Sequence, residues 1–239
     1  MKAIVLDFEA TDTSEDAQAT EIAVMDVIFN NGLFTKEDDV GVRSNLCLPE
    51  RPISFGAMAV TNIFTEDLQH CDSHTEICAQ MMPTGEAYVI GHNVDFDIRV
   101  AANAGVDVGQ YKAICTLAMM RNLYPDADSH TLGAMSCMLD YEYARENMKN
   151  AHGAAADVMM TARLLHKICK QQNITSMDQL YEFSEFARIP THFTFGKLKG
   201  MAISDAAKNA DGQSYMRWVI NTIKDDDYLV NACKKALVQ

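Results

Sequence analysis

"AIVLDFEATD", residues 3–12, begins as a buried strand and ends by breaking its own pattern. Ala3, Ile4, Val5 and Leu6 form a continuous apolar run of the kind that a strand buried on both faces requires. Side chains alternate across a strand, so Asp7 and Glu9 point to the same side. Two like charges side by side at the end of a core strand repel each other, and that repulsion needs a compensating partner.

Outward from this segment, Thr20–Asn30 (TEIAVMDVIFN) is a second β-rich run, and Asn31-Gly32 after it is a strong hairpin signal. The stretch 40–48 alternates loosely and could pair back, which gives an antiparallel meander of three strands. Beyond Pro49 and Pro52 the pattern turns to α/β, with strands at Ala87–Gly91 and Lys112–Thr116. Helices are expected at Ser73–Met82, Asp95–Ala104, Leu117–Leu123, Thr131–Leu139 and Ala154–Gln171. In the last of these Val158, Met159, Ala162, Leu165 and Cys169 recur at helical spacing, with Leu164 and Ile168 beside them, so it should be buried. The paired methionines Met119-Met120 and Met159-Met160 read as core filler. The fold class is α/β: a mixed sheet, three antiparallel strands plus parallel ones, flanked by helices. Residues 1–171 form the main domain, 172–190 a polar helical connector and 191–239 a small C-terminal appendage.

The 239 residues are 48% hydrophobic and 22% charged, an ordinary soluble composition. Apolar runs fall far short of the ~20 residues of a membrane span, and Asp7 interrupts the first too early for a signal peptide. The expectation is a cytoplasmic protein with no membrane partner. Seven scattered cysteines with no C-x-x-C pair argue against a disulfide framework or a zinc knuckle. A net charge of −13 opposes phosphate binding at long range but says little about a local site, where bound cations can neutralise acids.

Two further acidic clusters follow. "GHNVDFD", residues 91–97, comes directly after the AYVI strand and sets Asn93 and Asp97 four apart, on one face of a starting helix. "AHGAAAD", residues 151–157, opens the buried helix. His152 and Asp157 in one helix would lie about 140° apart at ~100° per residue, so His152 is better placed on the loop just before it. Each cluster alone has a bland reading, as a solvated strand end, a helix cap or a packed histidine.

Their order does not. A strand-borne D-x-E, an Asp after a later strand, and His-x4-Asp at a buried helix together resemble the DEDDh family of 3′–5′ exonucleases, over about residues 1–170. That resemblance implies a ribonuclease H-like fold and a metal-dependent hydrolase of nucleic-acid 3′ ends. Carried over by position, Asp7, Glu9, Asp97 and Asp157 would be the carboxylates for two magnesium or manganese ions, and His152 the general base. Hard dications prefer carboxylate oxygens, which answers the repulsion between Asp7 and Glu9. A histidine with a reference pKa near ~6.5 suits base work near neutral pH. Thr11, Asn93 and Phe96 become candidates for substrate contact, with core packing the competing role for Phe96.

"RPISFGAMAVTNI", residues 51–63, and the tail motif F-x-F-G-K-x-x-G, from Phe193 to Gly200, resemble the exodeoxyribonuclease X branch of that family. This implies a DNA substrate, single-stranded or 3′-ended, released as 5′-mononucleotides in repair or replication. One departure is Asp12, where the family usually has glycine soon after the Thr of D-x-E-x-T. The tail holds Lys197 and Lys199 near two phenylalanines and Trp218. It reads either as a nucleic-acid clamp or as a packing or homodimerisation element. The alternatives for the whole chain are an exoribonuclease of the same family and a non-catalytic nucleic-acid-binding module. A phosphatase is disfavoured by the lack of a P-loop.

Overall fold

The computed structural model describes residues 1–30, 33–36, 41–147, 153–223 and 226–238. Strand β1 (Lys2–Ala10) is central. It runs antiparallel to β2 (Ala19–Asn30) and parallel to β5 (Ala87–Gly91), so both of its edges are paired, and Ile4, Val5 and Leu6 are fully buried. The parallel part is completed by β6 (Tyr111–Cys115) on β5.

The third meander strand is divided. β3 (Leu33–Lys36) pairs with Val27–Asn30, while β4 (Arg43–Leu46) pairs with Glu21–Val24 farther along the same edge of β2. The expected single strand over 40–48 is thus shorter, and a separate piece precedes it. β2 is 12 residues long, enough to seat two short partners end to end. The Asn31-Gly32 step lies outside the described residues, although Asn30 and Leu33 are paired across it. The sheet order is β3-β2-β1-β5-β6, with β4 also on β2.

The helices are α1 (Phe55–Thr61), α2 (Thr65–Leu68), α3 (His74–Met81), α4 (Val94–Asn103), α5 (Thr116–Leu123), α6 (Leu132–Leu139), α7 (Tyr141–Asn147), α8 (Ala154–Gln172), α9 (Met177–Ala187), α10 (Ile203–Ala206), α11 (Ala210–Thr222) and α12 (Asp227–Ala236). α8 packs on β1 and β2, and α4 on β1, β5 and β6. The buried face of α8 carries Ala154, Val158, Thr161, Leu165 and Ile168, with Met160, Leu164 and Cys169. Met159, expected in the core, is 40% exposed: it lies about 100° round the helix from Val158, off the face that meets the sheet. Met119, Met120 and Met160 are buried as expected. The chain leaves α8 through Asn173 in the left-handed region (φ 53°), so residues 173–176 interrupt the expected helical connector before α9.

Two compact units are formed, Met1–Thr116 with Thr131–Tyr181, and Leu117–His130 with Glu182–Gln239. The second has its own core of Phe193, Ile203, Tyr215, Met216, Val219 and Leu229. Its motif from Phe193 to Gly200 is a closed loop: the Phe193 N–H donates to Met201 O (3.0 Å), and the Gly200 N–H donates to Phe193 O (2.7 Å). Gly196 sits at φ 69°, where an added Cβ would stand 2.1 Å from Tyr215 Oη, so only glycine fits. Among the described residues all cysteines are free, and no helix is long and apolar enough to cross a membrane.

Candidate active site

Three elements bring the acids together. β1 carries Asp7 and Glu9 on one side at its C-terminal end. The first turn of α8 carries Asp157, and ligand oxygens of Asp7, Glu9 and Asp157 all lie within 4.8 Å of one another. The third element is the β5–α4 junction. Gly91 ends β5 with Val94 Cβ only 3.1 Å from where its own Cβ would be, and Asn93 turns the chain in the left-handed region (φ 73°). Asn tolerates that conformation at low cost. The turn starts α4 so that Asp97 is buried, 3% exposed, with its Oδ1 accepting from the Phe8 N–H at 3.0 Å. Asp97 is therefore tied to β1 between Asp7 and Glu9, beside the triad.

The electrostatics are those of like charges crowded together. Burial first, then the charges of Asp97, Asp157, Glu9 and Glu21, hold Asp7 well above the ordinary carboxylate range. Burial, then Asp157, Glu21 and Asp97, push Glu9 up to about 8. Burial raises Asp97 to about 7, against the lowering effect of the Phe8 N–H. Asp140 is the internal contrast. Its carboxylate meets Arg163 and Lys167, and the Arg163 hydrogen bond takes it below the usual range. Among the described residues no Lys or Arg pairs with Asp7, Glu9 or Asp97. A compact, half-buried, all-oxygen donor set with excess negative charge fits a hard divalent cation.

His152 lies outside the described residues, two positions before the start of α8. Thr11 is fully buried. Its N–H donates to Gln18 O (2.9 Å), its carbonyl accepts from the Ser54 N–H (2.8 Å), and its hydroxyl accepts from the Gln18 N–H (3.1 Å). The loop it opens is pinned from several sides. Arg51 meets Asp12 and Asp16, Arg99 meets Glu15, and the Asn103 amide donates to Glu15 O and Ala17 O. Asp12 does not occupy the left-handed region, so this position does not require glycine; its carboxylate accepts from Ser14. Asn93 is exposed at the mouth of α4, and Phe96 is half-buried with the Arg99 guanidinium over its ring at 5.4 Å.

In the second unit, Lys197 and Lys199 are exposed. The Lys197 ammonium lies 5.5 Å from the Tyr215 ring centroid, and Lys199 Nζ donates to Asp128 O at 2.7 Å. Phe193 is fully buried, so it serves the core. Sequence reasoning passed over Glu21, which the β1–β2 register sets opposite Glu9. The available signal was one of two acids, with Asp26, in a mostly apolar strand, which carries no meaning until the register is known.

The family model described as Exonuclease, of the RNase T group, matches residues 4–165. The chain belongs to that exonuclease family. Exodeoxyribonuclease 10 of Escherichia coli strain K12 is 32% identical to it over 210 residues, covering 85% of this chain and 84% of the relative. The solved structure of exonuclease X in complex with 5′ overhanging duplex DNA aligns with a TM-score of 0.58 at 22% identity, over 76% of this chain and 99% of that one. E. coli exonuclease I in complex with a dA16 oligonucleotide aligns with a TM-score of 0.58 at 18% identity, over 80% of this chain and 46% of that one. At such identities these two matches speak for the fold, and the ribonuclease H-like exonuclease fold expected from the sequence is the one found.

Proposed function

We propose that this chain is a divalent-metal-dependent 3′–5′ exodeoxyribonuclease that releases 5′-mononucleotides from DNA 3′ ends, with single-stranded ends preferred. The observation that carries this reading is the triad of Asp7, Glu9 and Asp157, with Asp97 beside it, on the fold of the exonuclease family. The name of the E. coli relative supports DNA over RNA.

Asp7, Glu9 and Asp157 would hold magnesium or manganese, and Asp97 would complete a two-ion site. When bound, such a pair lowers the pKa of a water and stabilises charge on the departing oxygen. The chain's own groups do the rest. His152 takes the proton from the water that attacks the terminal phosphorus; the bond from phosphorus to the 3′ oxygen breaks, and that oxygen takes a proton from solvent water, leaving a shortened strand with a 3′ hydroxyl and a free 5′-mononucleotide. A general base of this kind contributes about two to four orders of magnitude. Thr11 fixes the loop at the end of β1 that borders the terminal nucleotide. Asn93 offers an exposed amide beside it, and Phe96, stiffened by Arg99, offers a ring edge to the last base.

Residues 191–239 act as an accessory DNA-binding module through Lys197 and Lys199. Charge distribution supports this: the second unit holds nine Lys and Arg against nine Asp and Glu, whereas the first holds 11 against 24 and carries all of the net −13. The first unit repels a phosphate chain at long range and the second does not.

The test uses purified protein with magnesium on single-stranded DNA and RNA oligonucleotides labelled at either end. The 3′ label should appear at once as a mononucleotide, and the 5′ label should report a shortening ladder. Faster loss of the 5′ label would reverse the polarity, and equal rates on RNA would assign the chain to the exoribonucleases.

A further inference from the structure

Glu21 stands directly across β1–β2 from Glu9, on the side of the sheet that carries the acidic triad. In that position it could act as another metal ligand, but its oxygens already have protein partners. Oε2 accepts from the Ala154 N–H at 3.2 Å, and Oε1 accepts from the Ser44 hydroxyl on β4. Ala154 is the first residue of α8, and Gly153, at the cap position, provides no side chain to accept from it. The helix that carries Asp157 is therefore capped from another element: a carboxylate from β2, itself held by β4, receives the opening N–H of α8.

A cap by Ser, Thr, Asp or Asn normally comes from the residue just before the helix and orders only that helix end. A cap from the sheet also fixes where the helix end sits. Asp157 is three residues on from Ala154, within the same first turn, and His152 is two residues before it in the chain. Glu9 and Glu21 are neighbours in the register, so a displacement of α8 relative to β2 is a displacement of Asp157 relative to Glu9. The negative charge at the helix N-terminus is favourable there and offsets part of its repulsion with Glu9.

We infer that Glu21 is a positioning residue of the exonuclease site: it anchors the first turn of α8 to the sheet and so sets the distance of Asp157 from Asp7 and Glu9. This inference rests on the proposed assignment of Asp7, Glu9 and Asp157 as metal ligands.

The test compares Glu21→Ala and Glu21→Gln with wild type by manganese calorimetry and by kcat and KM on single-stranded DNA, well below each variant's melting temperature. Gln keeps an acceptor oxygen for the Ala154 N–H, while Ala removes it. Glu21→Ala should weaken manganese binding and lower kcat by about 10–100-fold, the usual cost of losing an outer-shell support. KM for DNA should stay within about a factor of three of wild type, and Glu21→Gln should recover most of both losses. Two results would overturn the inference. Glu21→Ala with a lower melting temperature but unchanged manganese affinity and kcat would make Glu21 a stability residue only. Glu21→Gln as impaired as Glu21→Ala would make the charge itself the requirement, as for a direct ligand. If wild type bound manganese but cleaved no DNA, the exonuclease reading would fail while the affinity comparison still decided the role of Glu21.

Discussion

The acidic end of β1 and the lysine-bearing loop from Gly196 to Gly200 both concentrate charge of one sign, and they treat it in opposite ways. At β1 the neighbours of Asp7 and Glu9 are further carboxylates, and partial burial removes some of the water that would otherwise screen them. In the loop, Lys199 donates to a main-chain carbonyl and Lys197 lies over an aromatic ring. Among the described residues no Lys or Arg pairs with Asp7 or Glu9, whereas the loop has built partners into its own fold. Removing charge should therefore have a large functional effect at the first and a small one at the second.

The sharpest way to break this contrast is Asp7→Ala. It removes a carboxylate that feels the charges of Glu9, Asp97, Asp157 and Glu21, so hydrolysis should fall below detection while the metal-free protein melts at the same or a higher temperature. A variant that keeps more than about a tenth of the wild-type rate, a barrier change of only ~1.4 kcal/mol, would break the metal assignment. His152→Ala comes next, with a loss of about two to four orders of magnitude in kcat and little change in manganese affinity. Calorimetry showing loss of manganese binding in that variant would move His152 into the coordination shell.

Proton linkage gives a third, smaller effect. Glu9 in the metal-free fold titrates at about 8, far above a free glutamate, so between those values the native state holds a proton that the unfolded chain has released. Stability contributed by that proton is present at low pH and lost as pH rises through about 8. Without metal, Glu9→Gln should match wild type in melting temperature near pH ~4, below the ordinary carboxyl range, and exceed it near pH ~9. A gap that stays constant with pH would mean that Glu9 is not held in its protonated form. The smallest effect is expected from Lys197→Ala, which should raise KM for single-stranded DNA modestly, leave kcat unchanged and flatten the salt dependence of log affinity by about 0.7. Trp218, the chain's only tryptophan, is 47% exposed and stacked on Tyr215, so its fluorescence reports on the same region. No change in KM, salt slope or fluorescence on DNA addition would make the loop purely structural. Truncation at residue 190 is a poorer test, because Leu117–His130 belongs to the same unit and would lose its partners.

Much of the site was legible because each acid sits next to a strong local signal. Asp7 and Glu9 close an apolar strand, Asp97 follows β5, and Asp157 opens a long helix. What was not legible depends on pairing. Glu21 acquires meaning only from its register with Glu9, and the division of the third strand into β3 and β4 depends on how much of β2 each can cover. Thr11 was readable as a neighbour of the candidate site but not as the pin of a loop, since its partner Ser54 is distant in sequence and its bonds to Gln18 depend on how the intervening loop closes. Met159 was misplaced because adjacent helical residues differ by about 100° in direction, and composition alone does not say where the buried arc ends.

The central claim is that the cluster at the end of β1 is completed by divalent metal, and manganese calorimetry on wild type and Asp7→Ala at pH ~8, where a carboxyl with a pKa of about 8 is already half ionised, tests it most directly. Wild type should bind manganese with release of protons to the buffer, and more tightly as pH rises, while Asp7→Ala should bind it far more weakly. Equal binding by the two proteins, or binding by wild type without proton release, would contradict the claim.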